Sequence, residues 1–296
     1  MSAAVATAAT ESGPAQGGPR GRARSWPTGL RRGAVHASVF AALMLTWWGV
    51  TAASLIDPLF LPGPAAVWQA FVDANTCHPV NETSSRIVCG AQNYFLWEHL
   101  LASLQRIAIG VSAAVAFGVL LGFLMGTMRG FGMVLEPYLN FLRALPPLGY
   151  IGLLIVWFGI GDVSKIWLLF LAAFPPITMA TIAGVRGIHA SRIHAVESLG
   201  ASRWQVLVHV VFPSTLPGVI SGVRIAVGFA WTTVVAAELN NGIPGIGGLA
   251  YVAGTQLQTP LVIACIIVIG LAAIALDSAL KLLGAVAVPW YGKAKA

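Results

Sequence analysis

The sequence predicts an all-α polytopic membrane protein with six transmembrane helices. Of the 296 residues, 57% are hydrophobic and only 9% are charged, with a mean hydropathy of +0.81. A soluble domain carries about a quarter charged residues. The chain is also apolar from Val35 to Leu283 with one sizeable break, Ile188 to Pro217, which holds Arg192, His194, Glu197, Arg203 and His209. The apolar stretches reach the ~20 residues that a helix needs to cross a bilayer. A net charge of +7 would suggest nucleic acid in a soluble chain. Here the basic residues cluster at membrane boundaries, where they set orientation, and no stacking platform or basic groove accompanies them.

Residues 1–34 are Ala, Gly, Pro, Ser and Arg without apolar periodicity, the composition of a disordered tail. Val35 to Ile56 is too long for a signal-peptide core and lacks a small-residue cleavage pattern after it, so it reads as the first span. In the polar segment 57–98, Leu61-Pro62-Gly63-Pro64 precedes a short interfacial helix over Ala65 to Phe71. Leu100 to Met128 is the second span. Its Gly118, Gly122 and Gly126 lie four apart on one helix face, which permits close helix packing. Val134 to Ile160 is the third span, interrupted at Pro146-Pro147, and Val163 to Val185 the fourth, interrupted at Pro175-Pro176. Gly218 to Leu239 is the fifth, a glycine-rich loop (240–259) follows, Pro260 to Leu283 is the sixth, and 284–296 is a short tail. The six-span body is thus 35–283.

Six spans put both termini on one side. Arg20, Arg22, Arg24, Arg31, Arg32, Arg129, Arg186, Arg192, Arg203, Lys281, Lys293 and Lys295 fall on that side, against Arg86 and Lys165 on the other. The excess places the termini and the central loop (186–217) in the cytoplasm. Asp57, Asp73, Glu82, Glu98 and Asp162 then fall outside. Cys77 and Cys89 share the outward segment, where an oxidising compartment allows a disulfide; two unpaired thiols are the alternative. Closing so short a loop stabilises it by roughly 3 kcal/mol in the chain-entropy view. Asn81-Glu82-Thr83 matches a glycosylation sequon, a pattern common by chance.

The central loop has clear local structure. Arg192 to Leu199 reads as a short helix ended by Gly200 in the left-handed conformation. Ser202 caps a second helix with Gln205 completing a capping box, Val206, Leu207, Val210 and Val211 give it an apolar face, and Pro213 and Pro217 mark its end. This loop resembles the E-A-A-x-x-x-G, nine residues, I-x-L-P signature of binding-protein-dependent ABC importer permeases. The match is His194-Ala195-Val196, Gly200 and Val210-Val211-Phe212-Pro213, with His194 in place of the leading Glu. The resemblance runs from about Val35 to Trp290. Ala102-Ser103-Leu104-Gln105-Arg106, Leu135-Glu136-Pro137, Trp157-Phe158-Gly159-Ile160-Gly161, Val234-Val235-Ala236-Ala237-Glu238-Leu239 and Gly245-Ile246-Gly247-Gly248-Leu249 look like the nitrate/sulfonate/taurine branch. The closing Val288-Pro289-Trp290-Tyr291-Gly292 is most similar to taurine permeases.

The resemblance implies a type I importer permease fold in a bacterial inner membrane. It implies two permease copies lining one pathway, two cytoplasmic ATPase subunits that bind ATP and Mg, and a periplasmic binding protein that selects the substrate. It places the ATPase contact at Arg192, His194, Ala195, Glu197, Ser198, Leu199, Gly200 and Ala201. The chain itself has no G-x-x-x-x-G-K-[ST] loop, nucleophile elbow or H-E-x-x-H, so no cofactor or catalytic site is expected in it, and no metal-ligand spacing occurs. A secondary transporter, the reading from another class, would predict internal repeats and an intramembrane carboxylate relay; no repeat is visible.

Charges inside spans mark transport pathways. Arg143 precedes the Pro146-Pro147 break, where freed carbonyls are tolerated if protein or water satisfies them. It either attracts an anion or anchors the broken helix. Trp231, Thr232 and Thr233 offer polar tips and an apolar wall. Glu238 could meet a substrate ammonium or pair with Arg143, although their depths argue against direct pairing. Arg224 and Asp277 read as a structural pair or as snorkelling side chains.

Overall fold

The computed structural model describes residues 28–79 and 87–290. Most of the tail 1–34, the Asn81 sequon, Arg86, Lys293 and Lys295 lie outside the described residues. Four of the long helices form the body: α3 (Leu96–Thr127), α6 (Asp162–Arg186), α9 (Phe212–Ala237) and α11 (Thr259–Ala287). With α1 (Thr28–Ala52), five helices among the described residues are long and apolar enough to cross a membrane. The sixth expected span is α4 (Arg129–Ala144), a 3₁₀ turn (Pro147–Tyr150) and α5 (Ile151–Phe158), bent by 93°. Pro146 and Pro147 explain the bend, since neither can donate a backbone hydrogen bond to the preceding turn.

The core is the α3–α6–α9 sandwich. Ile107, Val111 and Ala114 of α3 meet Leu169, Ala173 and Ile177 of α6 and Ala226, Ala230 and Val234 of α9. Lipid is as apolar as leucine, so close van der Waals contact must hold such helices together. The glycine face of α3 provides it. A Cβ on Gly122 would lie 2.5 Å from Thr181 Cβ, and one on Gly126 2.7 Å from Val185 Cβ. Cβ contacts this short do not occur, so larger residues there would push α6 away.

Two proline expectations need correction. Pro175 and Pro176 do not interrupt the fourth span, because α6 is continuous through both. It is gripped on one side by α3 and on the other by α9, and that packing overrides the local proline preference. Nor do Pro213 and Pro217 end the second loop helix. α8 (Arg203–Val206), a π turn (Leu207–Val211) and α9 form one 35-residue helix, Arg203–Ala237. The π turn makes room for Pro213, with Phe212 N donating to Leu207 O, five residues back.

At one end of the bundle, α2 (Pro64–Asp73) contains the expected short helix over Ala65 to Phe71, with Pro64 opening it as proline prefers. It leads to a hairpin of β1 (Cys77–Pro79) and β2 (Ile87–Cys89), in which Cys77 lies opposite Cys89 and is bridged to it. α10 (Ile246–Thr255) lies over the starts of α3 and α11 and the end of α9. α1 stands off the body with most of its side chains from Gly33 onward exposed; its foot is fixed by Trp47 Nε1 donating to Pro62 O at 3.1 Å.

Candidate translocation and coupling sites

The central loop carries α7 (Ala190–Glu197), close to the expected helix. Its end is a Schellman motif. Gly200 has φ +84, Gly200 N donates to Glu197 O at 2.9 Å, and Ala201 N donates to Val196 O at 3.3 Å. Ser202 then caps α8, its Oγ accepting from Gln205 N at 3.4 Å while Ser202 N donates to Gln205 Oε1 at 2.8 Å. No residue of α7 is buried. Arg192, His194, Ala195, Glu197 and Ser198 are exposed, Leu199 is 87% exposed, and Trp204 beside them is 71% exposed. His194 and Glu197 meet across one turn at 3.2 Å. A two-turn helix with no buried face is not held by its own chain, since short helices are marginal in water.

Arg143 sits in the last turn of α4, just before the 93° bend, about 20 Å along the helix axis from Arg129. It is exposed and makes no ion pair or hydrogen bond among the described residues. Pro146 and Leu148 beside it are also exposed, and Pro147 is half-buried. A cation beside a broken backbone within a span-length helix pair is uncommon and needs a reason.

The three residues expected to form one wall do not share a face. Successive helix residues point about 100° apart, and the packing follows. Trp231 (6% exposed) and Thr233 (5%) face the core, while Thr232 is exposed and donates its hydroxyl to Phe229 O. The Trp231 indole N–H is buried without a partner among the described residues.

Glu238 is fully buried and does not pair with Arg143, as their depths suggest. Its Oε1 accepts from Arg106 Nη1 at 2.6 Å and from Ser103 Oγ at 2.7 Å, and its Oε2 accepts from Gly247 N at 2.8 Å. Arg106 also donates to Asp162 Oδ1 at 2.8 Å and to Pro244 O at 2.7 Å. Lys165 donates to Asn241 O at 2.6 Å. The knot thus gathers two cations and two carboxylates from the N-terminal parts of α3 and α6 and the C-terminal end of α9 and lashes the loop 239–245 onto them. Gly245 and Gly247 let the loop lie flat on it: a Cβ on Gly245 would lie 2.7 Å from Glu238 Cδ, and one on Gly247 2.7 Å from Val235 Cα.

The sequence held a signal for this knot. Arg106, Asp162, Lys165 and Glu238 each stand near the outer end of a span, and their charges sum to zero. What a linear reading lacked was which ends are neighbours. His99 was missed in the same way. Its Nδ1 accepts from Gly245 N at 3.0 Å and its Nε2 donates to Ala91 O at 3.0 Å, joining the hairpin exit to the knot. Arg224 and Asp277 do pair, at 2.9 Å, and Lys281 adds a second contact at 2.8 Å.

This architecture can be set beside known proteins. Residues 114–287 match the family described as "Binding-protein-dependent transport system inner membrane component". The taurine transport system permease protein TauC of Escherichia coli (strain K12) is 40% identical over 274 residues, covering 90% of this chain and 93% of that protein. SsuC of Bacillus subtilis (strain 168), named for aliphatic sulfonates transport, is 30% identical over 90% of this chain and 91% of its own length. The nitrate import permease protein NrtB of Synechococcus elongatus is 31% identical over 83% of this chain and 87% of its own length. With an apolar helical body, an exposed two-helix loop between its fourth and fifth spans and relatives aligned over nearly their whole length, this chain belongs to the inner membrane components of binding-protein-dependent transport systems, as a multi-pass permease and not an enzyme.

Proposed function

We propose that the chain is the membrane-spanning subunit of an ATP-driven importer for a small organic anion, taurine or another alkyl sulfonate. The observation that carries this is Arg143, an unpaired exposed cation at the bend of a membrane-embedded helix pair. A sulfonate stays ionised at physiological pH, so its path needs a fixed positive group. The 40% identity to a taurine transport permease supports the same substrate class. Two copies line one pathway, and two cytoplasmic ATPase subunits bind ATP and Mg and seat α7 with Leu199 through Ala201. A binding protein delivers the substrate from outside. The termini and α7 lie in the cytoplasm, in keeping with the arginine and lysine excess there. The test is uptake of labelled taurine by a strain deleted for this gene and then complemented. Saturable taurine uptake that excess nitrate leaves unchanged is expected. Restored nitrate uptake without taurine uptake would move the substrate to the nitrate class, which the relative named for nitrate import represents.

The seat on the ATPase has its own test. A Cβ at Gly200 meets no atom within 4 Å, so Gly200→Val acts through the backbone alone. At φ +84 a residue with a Cβ costs about 1–2 kcal/mol, and a β-branched one more, enough to unwind an exposed two-turn helix. The permease is expected to insert at normal level while ATPase pull-down and uptake are lost. Normal pull-down with normal uptake would remove α7 from the coupling role.

A further inference from the structure

Four outer segments converge on one open cavity of about 440 Å³: the end of α2, the hairpin exit, α10 and the start of α11. Its floor is apolar, with Leu249 and Ala253 buried at 1% exposure each. Its rim is polar, with Asp73, Gln92, Gln256 and Gln258 all exposed and none of their side chains hydrogen-bonded among the described residues. The other described carboxylates on this side are occupied. Asp57 accepts from Leu59 N, Glu98 from Phe95 N, and Asp162 and Glu238 from Arg106. Asp73 is the carboxylate left over.

The charge decides what this cavity takes. Segment 57–98 carries Asp57, Asp73, Glu82 and Glu98 against Arg86 alone, and loop 240–259 carries no charge. A sulfonate or nitrate would be repelled from a rim whose one charge is negative. A basic side chain on a folded partner would be attracted, with three carboxamides to bond its neighbours. We propose that this cavity is the docking seat for the binding protein, which inserts a lysine or arginine beside Asp73. The proposal rests on the importer reading and on the orientation given above.

The seat is also rigid and connected. The Cys77–Cys89 bridge fixes the strand that leads to Gly90 and Gln92. Between them, Ala91 O accepts from His99 Nε2, whose other ring nitrogen accepts from Gly245 N beside the Arg106–Glu238 pair. A partner pressed into the seat therefore bears directly on the group that ties the outer ends of α3, α6 and α9. A seat with rigid walls also loses little conformational entropy when it is filled.

The test uses the whole transporter in proteoliposomes, with its ATPase subunits and its substrate-loaded binding protein added at increasing concentration. ATP hydrolysis is followed. Asp73→Arg is expected to raise the half-saturating binding-protein concentration by about tenfold or more, as for a lost charged contact at an interface, without changing basal hydrolysis. Wild-type half-saturation should also rise between low and high salt, and this dependence should weaken in the variant. Asp73 is exposed and unpaired, so the variant folds; intact Cys77–Cys89 by thiol labelling checks this. Unchanged half-saturation in Asp73→Arg overturns the seat. So does an altered oligomeric state of the permease with unchanged stimulation, which would put a second copy of this chain there. A wild-type transporter that no binding protein stimulates, and that takes up no sulfonate, would instead sink the importer reading itself.

Discussion

Replacing Glu238 with alanine is expected to cost the permease its stability before it costs any transport step. The carboxylate is fully buried and takes bonds from Arg106, Ser103 and Gly247. Removing one member of a buried ion pair leaves the other charged and unsolvated, a loss of about 3–5 kcal/mol from a total of about 5–15 kcal/mol. Arg106 would keep Asp162, but that carboxylate is 61% exposed and solvent-screened, so it compensates weakly. Thermal unfolding of the purified protein and its level in the membrane are the measurements. The double variant Arg106→Leu with Glu238→Leu should be more stable than Glu238→Ala alone, because replacing both buried charges by apolar groups removes the orphan. If Glu238→Ala unfolds like the wild type and loses only taurine uptake, Glu238 serves the substrate ammonium and the knot is not structural.

The sequence made some of this legible and hid the rest for a physical reason. Spans were readable because hydrocarbon demands about 20 apolar residues in a row, and the glycines of α3 were readable because their spacing puts them on one face. The α7–α8 turn was readable because a Schellman glycine and a capping box act within a few residues of sequence. Proline was read too locally. Pro146-Pro147 breaks its helix at the edge of the bundle, whereas Pro175-Pro176 sits in a helix clasped on both sides and leaves it continuous. The partner of Glu238 was out of reach, since Arg106 is 132 residues away in the chain. Trp231, Thr232 and Thr233 were grouped by adjacency, which on a helix is the spacing that scatters side chains to different faces.

Arg143→Gln is expected to abolish most uptake while leaving the assembled complex and its basal ATP hydrolysis intact. Arg143 has no partner among the described residues, so its loss orphans no carboxylate and breaks no bond within the chain. What it removes is the one unpaired cation at the Pro146-Pro147 bend. A hydrogen bond to a charged group contributes about 1.5–3 kcal/mol, which converts to roughly a tenfold to hundredfold fall in uptake. Arg143→Lys keeps the charge but loses the planar fork, so it should fall between the glutamine variant and the wild type. A structural role predicts a different order. If the guanidinium holds free carbonyls of the broken helix, both substitutions should remove the complex from the membrane, because lysine cannot match several donors in one plane. Full uptake in Arg143→Gln would take the residue out of both roles and shift the anion contact to backbone donors of the 3₁₀ turn that follows the prolines.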